Sequence, residues 1–143
     1  QINCTYYSAL GDDDDAYLLA RAVQFFAPGI PQVYYVGMLA GANDIKLLEE
    51  TKVGRNINRH YYTKEEVAKE VDRPVVKKLL SLMRFRNSHP AFSGEFLVED
   101  SSGSELIIRR RNDGHEAVLK ADLKGKSFTV SYTENGSVKE LSL

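Results

Sequence analysis

Few groups in this chain have the type and spacing for chemistry, and most of them read as structural. Four consecutive aspartates, Asp12, Asp13, Asp14 and Asp15, carry the charge of a metal site. Adjacent carboxylates point different ways, however, whereas cation loops space their ligands. The run stands just before an apolar helical pattern, so it reads as a helix start, where carboxylates cap free N–H groups and meet the positive end of the dipole. Arg109, Arg110 and Arg111 suggest a basic patch. On a strand their side chains alternate faces, so a solvated strand end is expected instead. His115 lies beside a hairpin turn and is expected to be exposed; His89 precedes Pro90 and is expected to be structural. His60 sits in a tyrosine-rich loop with no acid or nucleophile near it in sequence, so it receives no catalytic role. A nucleophile elbow, a phosphate loop, a dinucleotide fingerprint and zinc spacing are all missing. The residues therefore nominate no catalytic group, no metal ligand and no cofactor.

Arg55 is different. It follows Gly54 in a polar segment, GRNINRHY, inside a long loop. That loop leaves the C-terminal end of a predicted parallel strand, where barrels and open α/β sheets build their sites. Guanidinium offers a rigid fork of donors suited to vicinal hydroxyls or a carboxylate. Asn56, Asn58 and the nearby tyrosines are residue types that commonly face sugars. The local pattern thus points to contact with a polyol or sugar.

The elements that must position Arg55 follow from periodicity. Leu18, Leu19, Ala22, Val23, Phe25 and Phe26 give a broad helical apolar face, stopped by Ala27-Pro28-Gly29. Residues 30–36, IPQVYYV, are short, β-branched and aromatic between two glycines, and predict a strand buried on both faces. Helix, tight turn and buried strand make half of a parallel α/β repeat. The loop over 38–72 has too many apolar anchors for disorder (Ile45, Leu47, Leu48, Ile57, Tyr61, Tyr62). Within it a short helix is expected over 43–50 with Asn43 as cap. A second is expected from the capping box Thr63-Lys64-Glu65-Glu66, and a third from Pro74 to about residue 87, with Lys77, Lys78, Arg84 and Arg86 outward. From Phe92 onward the period becomes two. Five strands are expected over 95–99, 105–111, 115–122, 126–133 and 137–143, separated by turn signals that include Asp113-Gly114 and Asn135-Gly136.

Composition narrows the function classes. The 143 residues are 43% hydrophobic with a net charge of −1, which leaves no one-sign field to recruit nucleic acid or a membrane surface. A single cysteine, Cys4, excludes an internal disulfide and fits a reducing, cytoplasmic setting. No apolar run approaches the ~20 residues that span a bilayer. The chain opens on Gln1 rather than Met and is read as a piece of a longer protein.

FFAPGIPQVYYVGMLAG followed by NDIKLLEETKVGRNINRHYY resembles the sucrose phosphorylases, a family within the α-amylase superfamily of sugar-active barrels. QINCTYYSALGDDDDAYLLARA and VKKLLSLMRFRNSHPAF resemble the flanking segments, so the resemblance covers nearly all of residues 1–92. It implies an α/β plus all-β architecture: the C-terminal portion of a (β/α)8 TIM barrel over 1–92, then a small antiparallel β domain over 93–143. Residues 15–26 would be the seventh barrel helix, 30–36 the eighth strand and 74–87 the eighth helix. The activity implied is retaining phosphorolysis of sucrose with inorganic phosphate to α-glucose 1-phosphate and fructose, by double displacement with an Asp nucleophile, a Glu acid/base and a second, stabilising Asp. No residue of this chain matches those three carboxylates, so the segment alone is expected to be inactive.

Two substrate-binding positions carry over by resemblance. Arg55 matches the arginine that binds glucosyl hydroxyls in the donor subsite. Gln1 matches a glutamine at the root of the acceptor loop. Related phosphorylases of sucrose 6-phosphate, glucosylglycerol or glucosylglycerate are alternatives, as is a non-catalytic sugar-binding β module. Self-association of the segment through the edge of the 30–36 strand is also expected.

Overall fold

A computed structural model describes residues 3–143, which divide into two compact units. The first runs to Tyr17 and resumes over Gln32–Leu80; the second comprises Leu18–Pro31 and Ser81–Leu143.

Helix α1 (Tyr6–Ala9) starts at Thr5, whose hydroxyl accepts from Ser8 N at 3.1 Å. Helix α2 (Asp14–Phe26) follows a turn in which Gly11 and Asp12 both take positive φ. Of the four aspartates, one caps the helix and two hold neighbouring hydroxyls. Asp13 accepts from Ala16 N at 2.9 Å, Asp14 from the Tyr7 hydroxyl at 2.7 Å and Asp12 from the Ser8 hydroxyl at 2.6 Å. No group of metal-ligating side chains is found among the described residues. Tyr17, Leu18, Leu19, Ala22, Phe25 and Phe26 form the buried face of α2.

The strand predicted over 30–36 is not formed. Residues 30–34 belong to no helix or strand; Tyr34 is extended at φ −71°, ψ 150°, but no strand pairs with the segment among the described residues. Their exposure alternates: Ile30, Gln32 and Tyr34 face solvent while Pro31 and Val33 are half-covered. Ile30 is 96% exposed, so burial on both faces does not occur. The physical reason is that a strand is defined by its ladder partner, and extended residues without one keep only the backbone conformation. The chain then turns into helix α3 (Tyr35–Met38), whose Val36 is buried.

The loop beyond is ordered by short helices. Helix α4 (Ile45–Thr51) is capped by Asp44, not by the expected Asn43: the Asp44 carboxylate accepts from Leu47 N at 2.8 Å. Asn43 is occupied elsewhere, accepting from Thr5 N at 2.7 Å. A 3-10 helix covers Gly54–Asn58. Helix α5 (Lys64–Glu70) has the full capping box between Thr63 and Glu66, and α6 (Pro74–Ser88) begins at its proline. Val75, Val76, Leu79, Leu82 and Phe85 are its buried residues.

Strands β1 (Glu95–Glu99), β2 (Glu105–Asn112), β3 (His115–Asp122), β4 (Ser127–Glu134) and β5 (Ser137–Glu140) form one antiparallel sheet in sequence order. Asp113 and Gly114, and again Asn135 and Gly136, all have positive φ, the conformation a two-residue hairpin turn demands. The register aligns Ile108, Leu119 and Val130 across three strands, and all three are buried. On the same face Tyr132 packs on Phe85, with ring centroids 5.1 Å apart.

Two arginines depart from expectation. Arg110 is only 4% exposed rather than solvated, because its position in the alternation shares the face of Ala117 and Tyr132. It donates from Nη2 to Phe92 O and Gly94 O at 2.9 and 3.1 Å. Arg109 faces the other way and pairs with Glu99 and Glu116. Arg86, expected outward, instead folds over the Phe92 ring and donates to Phe25 O at 2.9 Å, closing the C-terminal end of α2.

Candidate functional site

Arg55 is the second residue of the 3-10 helix and is exposed. Its guanidinium makes no hydrogen bond or ion pair with any described residue, so its placement comes wholly from its backbone. That backbone is held at several points. Asn56 N donates to Val53 O at 2.8 Å and Arg59 N to Asn56 O at 3.1 Å. Asn56 Nδ2 donates to the Thr51 hydroxyl at 3.0 Å, and Asn58 Nδ2 to Cys4 O at 3.4 Å. The two asparagines that sequence reasoning placed toward a sugar are thus engaged inside the loop. Gly54 has a positional reason as well: a Cβ there would lie 3.3 Å from Asn3 Nδ2.

Below this turn lies a polar cluster that sequence reasoning missed. His60 Nδ1 is 2.5 Å from Asp44 Oδ2, and His60 Nε2 is 3.6 Å from Glu66 Oε1. The histidine therefore has two acids beside it in space, although Asp44 is 16 positions away in the chain. The Tyr62 ring meets the imidazole edge-on at 4.5 Å, and the Tyr35 hydroxyl donates to His60 O at 2.8 Å. The Asp44 carboxyl is held below the usual carboxylate range, first by the Leu47 N–H and then by His60. Tyr35 is pushed up to about 12, by burial first and by its hydrogen bond with Tyr34 second. The only signal for the cluster in the sequence was an acidic residue at a helix start, and that cannot name its distant partner.

Asp44, His60 and Tyr62 line a shallow cleft of about 470 Å³ with Lys46, Glu70 and Arg73. Arg73 donates to Glu70 at 2.6 Å and to Ala40 O at 3.3 Å, and its guanidinium lies 5.6 Å from the Tyr7 ring centroid. Arg55 is not part of that wall. Gln1, the other predicted contact, lies outside the described residues. Elsewhere, His89 is structural as expected, with Nε2 3.1 Å from Thr133 O, and His115 is exposed. No helix among the described residues is long and apolar enough to cross a membrane.

Comparison with known proteins gives a consistent answer. A scan against models of protein families finds no match. The sucrose phosphorylase of Streptococcus mutans is 58% identical over 137 residues, covering 94% of this chain and 28% of that protein. The glucosylglycerol phosphorylase of Marinobacter adhaerens is 50% identical over 143 residues, covering 99% of this chain and 30% of that protein. The crystal structure of sucrose 6F-phosphate phosphorylase from Thermoanaerobacter thermosaccharolyticum matches with a TM-score of 0.95 and 53% identity, over 98% of this chain and 29% of that one. The chain thus spans under a third of the length of the relatives it matches. The likeness of sequence and fold runs through helices and sheet alike, and the full fold to which the matched region belongs is a TIM barrel. The chain is a relative of the sucrose phosphorylases and matches their C-terminal region.

Proposed function

We propose that this chain is the C-terminal part of a retaining glycoside phosphorylase that moves a glucosyl unit between sucrose and inorganic phosphate, yielding α-glucose 1-phosphate and fructose. In this reading residues 1–92 complete the barrel and residues 93–143 form the terminal β domain. Arg55 binds glucosyl hydroxyls in the donor subsite, and Gln1 stands beside the acceptor. The three catalytic carboxylates lie outside the chain, no cofactor takes part, and the protein works in the cytoplasm. Self-association of the isolated chain through the 30–34 segment, which joins no sheet among the described residues, is also part of the reading.

The observation that carries it is the state of Arg55. An exposed guanidinium without a partner among the described residues, on a turn whose two asparagines are engaged within the loop, is a donor fork open to a ligand. In the full-length enzyme that carries this segment, Arg55→Ala is expected to lower kcat/KM for sucrose by at least about a hundredfold while the melting temperature stays put, since several hydrogen bonds to the sugar are lost at once. Release of glucose 1-phosphate measures it, and an unchanged kcat/KM removes Arg55 from the site. In the same assay the isolated chain is expected to give no turnover.

A phosphorylase of sucrose 6-phosphate or glucosylglycerol is the second reading, favoured by the names of the relatives above. Turnover compared across the three glucosyl donors decides between them. A sugar-binding β module is less well supported. Its aromatic platform would need Phe96, Phe128 and Tyr132, yet Tyr132 packs on Phe85 and His89, and Phe96 lies over Arg110.

A further inference from the structure

The segment that carries Arg55 leaves and re-enters the body of its unit at one narrow place, between Asp44 and His60. The two ends are tied there by the Asp44–His60 contact of 2.5 Å and by Asp44 N donating to Ile57 O at 2.7 Å. Asp44 uses its two carboxylate oxygens for different tasks. Oδ1 accepts from Leu47 N and starts α4, while Oδ2 meets the imidazole at the far end of the loop. One side chain therefore fixes both where the excursion begins and where it closes. His60 is equally committed: its ring lies between Asp44, Glu66 and Tyr62, and its carbonyl accepts from Tyr35.

Arg55 has no side-chain anchor of its own, so whatever holds the root of residues 45–59 decides where its guanidinium sits. We infer that Asp44 and His60 are positioning residues for Arg55: their bond closes the neck of the 45–59 segment and sets the guanidinium against the glucosyl unit. Neither residue touches substrate in this scheme. The inference rests on the reading of Arg55 as the donor-subsite residue.

A mutant cycle in the full-length enzyme tests it. His60→Phe keeps a ring against Tyr62 but removes the nitrogen that meets Asp44. His60→Asn places an amide N–H near the lost Nδ1. His60→Phe is expected to lower kcat/KM for sucrose by about tenfold, chiefly through KM, because a displaced guanidinium weakens sugar binding throughout the reaction. His60→Asn is expected to recover to within about threefold of the parent enzyme. In an Arg55→Ala background, His60→Phe is expected to change nothing further, since the clamp acts through a group already absent. Equal falls in the two backgrounds overturn the inference, as does an unchanged kcat/KM in His60→Phe alone. Should His60→Phe fail to fold, His60→Gln, whose amide nitrogen falls nearer Nε2 than Nδ1, takes its place in the cycle, and the same two results overturn the inference. If Arg55→Ala by itself has no effect, the donor-subsite reading fails first and takes the inference with it. That result differs from a failed cycle around an essential Arg55.

Discussion

Each strand of the β1–β5 sheet pairs with its neighbour in sequence, across turns of two to five residues. The loop bearing Arg55 is closed instead by single polar contacts between residues 13 to 54 positions apart. The sheet spreads its stability over many equivalent ladder bonds and a shared apolar face, so its order follows from local sequence. The loop concentrates its order in a few bonds, each without a substitute. A scaffold can be built the first way; in the proposed reading the Arg55 turn leaves its guanidinium open to a ligand and is held from its base.

The largest effect that would sharpen this contrast lies in the sheet. Leu119 is fully buried on the central strand, between Ile108 and Val130. Leu119→Ala is expected to cost about 2–5 kcal/mol, through lost transfer energy and a residual cavity, as a lower denaturant midpoint. A cost under about 1 kcal/mol would mean that the sheet face is not a close-packed core. Next comes the base of the loop. A Cβ on Gly41 would lie 2.3 Å from the Tyr62 hydroxyl and 2.7 Å from Val36 Cγ1. Gly41→Ala is expected to cost about 1–3 kcal/mol, and adding Tyr62→Phe to recover part of it by removing the clashing oxygen. Additive costs would show that the Tyr62 hydroxyl is not the obstacle.

The smallest effect is a pH dependence, read on the loop side at Tyr35. Tyr35, raised to about 12, stays neutral in the fold where the unfolded side chain ionises near 10.0. Its contribution is therefore complete below pH 10 and is lost as pH rises from about 10 to 12. Tyr7 and Tyr62 shift in the same direction, each chiefly by burial, and add to that alkaline loss. On the acid side the depressed Asp44 contributes above its unfolded value of 3.8 and loses that contribution as pH falls through its folded value. Tyr35→Phe is expected to flatten part of the alkaline limb of a stability–pH curve and leave the acid limb alone. An alkaline limb that does not move assigns the loss elsewhere.

The same contrast explains what could be read from the residues alone. The hairpins were legible because Asp113-Gly114 and Asn135-Gly136 fix turn geometry locally, and the strand bounds fell within a residue or two except at the fraying end of β5. Thr63–Glu66 and Pro74 announced two helices for the same reason. Non-local facts were not legible. The Asp44–His60 contact, the burial of Arg110 and the capping of α2 by Arg86 all depend on what the fold brings together. Asn43 and Asp44 are both good caps, and only the tertiary demand of Thr5 N decides between them. At 30–36 composition suggested a strand, but pairing belongs to two strands and cannot be read from one, and Tyr35 and Val36 enter α3 instead. Arg55 could be nominated from its loop and chemistry, whereas the Asp44–His60 contact could not.

The 30–34 segment bears on the self-association proposed above. Pro31 fixes one φ angle in it, and buried Val36 anchors the end that enters α3. Holding a residue in one backbone conformation costs about 1–2 kcal/mol, a large share of the barrier to adding a strand to a sheet. In the self-association proposed above, those two restraints would lower the entropic loss of pairing residues 30–34 with a neighbouring strand.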